Sequence, residues 1–125
     1  MESLFIKNLA HRLSKALPGK SAHDIMMVTP RLPFPKINLD KKGIPASVLI
    51  LLFPKNNQWH FFLTKRTSTV NHHKGQISLP GGVVETGESL EGAALRETHE
   101  EIGVDKKNIN LIGALSSFYI PVSGF

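Results

Sequence analysis

Glu97, Glu100 and Glu101 stand at i, i+3 and i+4 in the run Arg96-Glu97-Thr98-His99-Glu100-Glu101-Ile102-Gly103. If the run is helical, successive side chains advance by about 100°, and the three carboxylates share one stripe roughly 100° wide. Like charges at i, i+4 destabilise an isolated helix by roughly 0.2–0.5 kcal/mol per pair. Such a trio gains most when a cation sits on it, and hard divalent ions, which take oxygen ligands, are the natural occupants. A solvated acidic face on an ordinary surface helix is the plain alternative.

The neighbouring residues supply a helix to carry that stripe. Ala94, Leu95, Thr98 and Ile102 form an adjacent apolar stripe, wide enough to dock on a sheet. Ser89 suits an N-cap, and Glu91 falls in the first turn, where the helix dipole favours negative charge. Gly103 followed by Val104 fits a left-handed C-terminal stop with its apolar contact. The spacing therefore predicts a loop over 81–88 and a helix over about 89–102, with the acids off the buried face. Gly92, inside that helix, costs about 1 kcal/mol relative to alanine and has no local reason in the sequence.

Taken together, Gly82, Glu88, Arg96, Glu97, Glu100, Glu101, Gly103 and Val104 follow the spacing G-x5-E-x7-R-E-x-x-E-E-x-G plus an apolar residue. This resembles the Nudix box, the loop–helix–loop signature of hydrolases that cleave a nucleoside diphosphate linked to another group. The box occupies 82–104, and Thr98 stands where the family usually has a larger aliphatic residue. Upstream, Arg66, His73, Gly75, Gln76, Pro80, Gly81 and Gly82 resemble the extra motif of coenzyme A diphosphatases. Asn71 replaces an arginine of that motif and Leu79 a phenylalanine; asparagine cannot grip phosphate bidentately as a guanidinium does.

The resemblance implies a metal-dependent diphosphatase using Mg²⁺ or Mn²⁺, with Glu97, Glu101 and Glu100 as ligands and Arg96 steadying a carboxylate, Glu88 or Glu85. Arg66 and His73 would hold substrate, although a surface arginine and a loop-stabilising histidine explain the same residues. The backbone of Gly81 and Gly82 would approach metal or phosphate. His72 and His99 are read as structural, and the general base stays open between Glu100 and a residue outside the box. The substrate would be coenzyme A or acyl-coenzyme A, cut to 4′-phosphopantetheine and adenosine 3′,5′-bisphosphate. Another nucleoside diphosphate derivative, or a non-catalytic nucleotide-binding module, is the competing reading.

Across all 125 residues the charge is divided. Residues 1–80 carry twelve Lys/Arg against three Asp/Glu, and residues 81–125 carry three against seven, which leaves the net +5. A basic half beside an acidic, metal-binding half suits a polyanionic small molecule; scattered charge with one Trp and one Tyr argues against nucleic acid. There are no cysteines, which removes disulfide, thiolate and zinc-finger chemistry. His99-Glu100-Glu101-Ile102-Gly103 is not H-E-x-x-H, and 81–87 lacks the ending of a P-loop. No stretch approaches the roughly 20 apolar residues of a membrane span, and no secretory pattern opens the chain, so a cytoplasmic setting is expected.

Residues 1–44 are expected to hold an amphipathic helix over 3–17, ending before Pro18-Gly19, and then an extended Pro- and Lys-rich linker. By the same resemblance, residues 45–125 are expected to form the N-terminal part of a Nudix hydrolase domain, with the box at 82–104. Ala46–Phe53 reads as one buried central strand, Trp59–Lys65 as its hairpin partner, Gln76–Leu79 as a short strand and Asn108–Leu115 as another. The resulting fold class is α/β (α+β): a Nudix-like α/β/α sandwich around a mixed sheet. The apolar end at Phe125 suggests a C-terminally truncated piece, with a homodimer or non-native self-association as the consequence of an uncovered edge.

Overall fold

The structure, a computed structural model, describes residues 3–26, 43–67 and 75–120. The chain divides into two compact units, Met1–Gly43 with Asn110–Phe125, and Ile44–Ile109. In the first, α1 spans Leu4–Leu13, with Ser3 as N-cap accepting from the Ile6 amide. It stops well before Pro18, where the Lys15 N–H turns to the Arg12 carbonyl in a tighter last turn and the Ser14 hydroxyl bonds the His11 carbonyl. Lys20–Met26, expected to be extended, is a short helix α2, braced by a 2.7 Å Lys20–Asp24 ion pair one turn apart. Leu13 packs on Gly113, and His23 lies against the Phe118 ring.

The second unit is built on three antiparallel ladders. Strand β1 (Ala46–Val48) pairs with β6 (Gly81–Val83) in the register Ala46↔Val83, Ser47↔Gly82, Val48↔Gly81. Flanking bonds from Val84 to Pro45 and from Leu49 to Pro80 extend the match by one residue at each end. Strands β2 (Leu52–Lys55) and β3 (Gln58–Phe61) form a hairpin about Asn56-Asn57. Both asparagines have positive φ, 49° and 61°, the backbone of a type I′ turn that asparagine tolerates. Strands β4 (Thr64–Lys65) and β5 (Ile77–Ser78) pair as Thr64↔Ser78 and Lys65↔Ile77.

Helix α3 (Leu90–Ile102) packs on β1 and β6. Ser89 caps it by accepting from the Gly92 amide at 2.9 Å, and Gly103, at φ 74°, closes it with its N–H on the His99 carbonyl. The buried face is Ala93, Ala94 and Thr98, with the Thr98 hydroxyl bonded to the Ala94 carbonyl at 2.7 Å. Leu95, expected on that face, is only half-buried. Small residues at 93 and 94 suit a close approach of the helix to β1 and β6, and Leu95 falls at the margin of the buried face. Thr98 is fully enclosed, so the larger aliphatic residue usual there would have no space.

Three expected strands differ. Trp59–Lys65 is divided between β3 and β4, and β4 pairs with β5 rather than with the 46–53 run. Ala46–Phe53 is divided between β1 and β2, and exposure alternates along it, Val48 and Ile50 outward, Leu49 and Leu51 half-buried. A continuous apolar run had implied burial on both faces, whereas Val48 and Ile50 remain exposed. Asn108–Leu115 forms no ladder among the described residues; Lys106–Asn108 is instead a 3₁₀ turn, η1. The Asp105 carboxylate caps that turn by accepting from the Lys107 amide at 3.0 Å, and its carbonyl accepts from Asn108. All described ladders are antiparallel, so the parallel pairs of a mixed sheet are not among them. Helix on sheet in an α/β arrangement is the architecture observed.

Candidate active site

The acidic stripe of α3 faces the turn into β6, where two glycines remove the side chains that would hold the helix away. A Cβ on Gly82 would lie 2.6 Å from the Glu97 carboxyl carbon, and one on Gly81 would meet the Ser47 carbonyl oxygen and Val48 Cα of β1. The missing methyl groups allow Glu97 to rest directly on the strand backbone. Glu101, one turn along, accepts from the Gly81 amide at 3.2 Å. Glu100, with its side chain 56% exposed, stands at the solvent edge of the same stripe.

Arg96 ties this stripe to the preceding loop. Its Nε and Nη2 donate to the two oxygens of Glu88, each at 3.0 Å, and Nη1 donates to Glu97 Oε1 at 2.8 Å. Nη2 also donates to the Val83 carbonyl of β6 at 3.1 Å. Glu100 and Glu85 complete the surroundings at 3.5 and 3.9 Å from Nη1. This is the fork geometry that guanidinium makes with carboxylate and ammonium cannot. Of the two partners the sequence left open, Glu88 is the bidentate one and Glu85 the distant one.

Bonding to Arg96 and then to the Glu85 amide, at 3.1 Å, holds the Glu88 carboxyl below its ordinary pKa. The same contacts, Glu88 first and Glu97 second, push the Arg96 pKa further up, so it is charged at every working pH. Glu88 also accounts for Gly92: a Cβ there would press on Glu88 Cγ at 3.2 Å and on Ser89 Oγ at 3.1 Å. The helix accepts a poor helix former so that the Glu88–Arg96 pair fits over it.

The donor set, carboxylates set against the Gly81–Gly82 end of β6, suits a hard cation. Glu97 and Glu101 both touch that end, and each carboxylate has a second oxygen besides the one bonded to Arg96 or to the Gly81 amide. Among the described residues no three His, Asp or Glu side chains converge closely enough to enclose an ion by themselves. A cation here would therefore take further ligands from backbone, water or substrate phosphate, as Mg²⁺ usually does.

The upstream motif is seen in part. Arg66 is exposed at the end of β4, and its backbone joins Gln76 and Gly75 through the bonds Arg66 N–H to Gln76 O at 2.9 Å and Gly75 N–H to Arg66 O at 3.2 Å. His73 and Asn71 fall within 68–74, outside the described residues. Two features went unnoticed in the sequence: the Val83 carbonyl as a fifth Arg96 contact, and His99 as part of an open cleft rather than of the packing. A backbone carbonyl has no sequence signal, but His99 at i+3 from Arg96 could have been placed on the same helix face.

No helix among the described residues is long and apolar enough to cross a membrane. Compared with known proteins, the chain matches the NUDIX domain over residues 43–124. It is 33% identical over 116 residues to Nudix hydrolase 3 of Caenorhabditis elegans, covering 89% of this chain and 48% of that protein. It is 37% identical over 82 residues to the Uncharacterized Nudix hydrolase NudL of Enterobacter sp. (strain 638), covering 65% and 43%. It is 41% identical over 88 residues to Nudix hydrolase 22, chloroplastic, of Arabidopsis thaliana, covering 63% and 29%. The chain thus spans half or less of the length of these relatives. With the box residues gathered around Arg96 and the domain matched over most of the chain, the protein belongs to the Nudix family.

Proposed function

We propose that the protein is a metal-dependent hydrolase of a nucleoside diphosphate derivative, with coenzyme A or an acyl-coenzyme A as its substrate. The observation that carries the reading is the three-carboxylate stripe braced by the Glu88–Arg96–Glu97 pairing against the Gly81–Gly82 turn. A purely structural acidic face has no need of such bracing.

In this reading a water oxygen bonds to one phosphorus, the bridging P–O bond breaks, and the second phosphate departs with its oxygen. Glu97 and Glu101 would hold the cation, with Glu100 beside them. Mg²⁺ or Mn²⁺, when bound, supplies charge neutralisation at the bridging phosphates and a more acidic water. Arg96 is a positioning residue: through Nη1 it holds one Glu97 oxygen and leaves the other turned to the ligand. The Gly81 amide does the same for Glu101. Glu100, at the solvent edge, takes the proton that the attacking water loses.

Arg66 and His73 are proposed to grip the substrate phosphates. The coenzyme A assignment rests on that upstream motif. Asn71, in place of its arginine, favours a different nucleoside diphosphate derivative as the second reading, because one phosphate grip is lost. A cytoplasmic setting belongs to the same proposal; a relative named chloroplastic means that the family alone does not set the compartment.

The test is a product assay on coenzyme A, ADP-ribose and a nucleoside triphosphate with Mg²⁺ or Mn²⁺. Release of 4′-phosphopantetheine and adenosine 3′,5′-bisphosphate, falling by about 100-fold or more in Glu97→Gln, supports the reading. Turnover of ADP-ribose but not coenzyme A moves the substrate to the second reading. Tight, metal-independent nucleotide binding without any turnover overturns the enzyme.

A further inference from the structure

Within the 44–109 unit a cleft of about 540 Å³ runs along the outer face of α3, over Leu95, Arg96, His99 and Glu100, to Asp105 and Lys106. Its size lies in the range of small-molecule sites. Gly92 lines one side, and Leu95, at the margin of the buried face, provides an apolar wall. Glu100 and Arg96 connect the cleft to the acidic stripe, so a ligand lying in it has one end beside the proposed metal ligands.

The charges of the cleft are unequally engaged. Glu88 is held at both oxygens by Arg96. The Asp105 carboxylate accepts from the Lys107 amide and lies 3.4 Å from Lys107 Nζ. Lys106 belongs to no ion pair among the described residues. Lys106 and His99 both line the cleft, as does Asp105. An exposed ammonium and an imidazole N–H lining one cleft form a pair of donors for an anion.

We propose that this cleft is the subsite for a phosphomonoester carried on the substrate's ribose, with Lys106 and His99 as its donors and Leu95 against the nucleoside. The assignment deepens the nucleotide-hydrolase reading and rests on it. It also makes the adenosine side of the substrate, rather than its other half, the part recognised by α3.

The experiment compares adenosine 3′,5′-bisphosphate with AMP, which lacks the 3′-phosphate, as ligands of the full chain, followed by amide chemical shifts. The bisphosphate is expected to shift the His99 and Lys106 amides and to bind more tightly than AMP. Lys106→Gln, an exposed change, should weaken the bisphosphate about 10-fold, leave AMP within about 2-fold, and preserve the rest of the spectrum. Shifts confined to other residues, or equal weakening of both ligands by Lys106→Gln, overturn the proposal. No turnover enters this readout, so a chain that binds the bisphosphate in the cleft yet hydrolyses no diphosphate refutes the catalytic reading alone. Hydrolysis without cleft binding refutes the subsite alone.

Discussion

Replacing Gly82 by alanine should damage the site while leaving the fold intact. The new Cβ would lie 2.6 Å from Glu97 Cδ and Oε1 and 3.0 Å from Oε2, against the 3.4 Å at which ordinary contact begins, so the carboxylate must retreat by about 0.8 Å. The obstructing atoms are the far end of a side chain, and the chain can yield without parting β1 from β6. Its movement costs the 2.8 Å bond from Arg96 and shifts a proposed metal ligand by nearly the displacement that lowers enzyme rates about 100-fold. That factor corresponds to about 2.7 kcal/mol of transition-state stabilisation. The assays are steady-state hydrolysis with Mn²⁺, calorimetric Mn²⁺ titration, and thermal melting of the same preparations. Expected are a roughly 100-fold loss of turnover and weaker Mn²⁺ uptake, with a midpoint within about 4 °C of the parent. Full activity in Gly82→Ala would refute the reasoning, since Glu97 could then not depend on the space above Gly82.

Gly81→Ala should do the opposite. Its Cβ would meet the Ser47 carbonyl and lie 2.6 Å from Val48 Cα, which are backbone atoms of the paired strand, and its φ of 154° disfavours a side chain. Overpacking and strain together are expected to cost about 2–4 kcal/mol, measurable by urea unfolding; an unchanged midpoint would contradict the β1–β6 register. For Glu88→Gln, the depressed folded-state pKa of Glu88 sets the sign. A carboxyl held below its ordinary value of 4.5 contributes its stability above that pH and loses it as the pH falls through the folded value. The parent should therefore melt above the variant at neutral pH, and the difference should shrink below pH 4.5. A gap that persists or widens in acid would mean that charge pairing with Arg96 is not its source.

The helix and its site were largely legible in the residues, because their signals are local. Ser89, Glu91 and Gly103 mark the ends of α3 by backbone chemistry that acts within a few residues. The i, i+3, i+4 spacing puts Glu97, Glu100 and Glu101 on one side of any helix that forms there, whatever surrounds it. The antiparallel hairpin was legible for the same reason, since its turn lies between the strands it joins. Arg96 as a holder of carboxylate followed from family resemblance, but the choice of Glu88 over Glu85 did not. Both precede the helix by a few residues, and only the path of the loop decides which one meets the guanidinium.

Other features depended on what packs against them, which no local pattern encodes. The run Ala46–Phe53 is apolar enough for a strand covered on both faces, yet its exposure is decided by which elements lie over it, and α3 covers one side of β1. Asn108–Leu115 has strand-forming residues but no partner in the described chain, while Asp105 binds the amide two residues on and makes a turn instead. Gly92 and Gly82 look alike as helix breaker and turn residue. Their purpose is visible only when Glu88 crosses over the first and Glu97 rests on the second. Residue types and spacing determined that three carboxylates share one side of α3, since residue identity and helical phase are local properties. Tertiary structure alone decided which carboxylate Arg96 holds and where the cleft opens, because both depend on distances between segments that the chain order does not set.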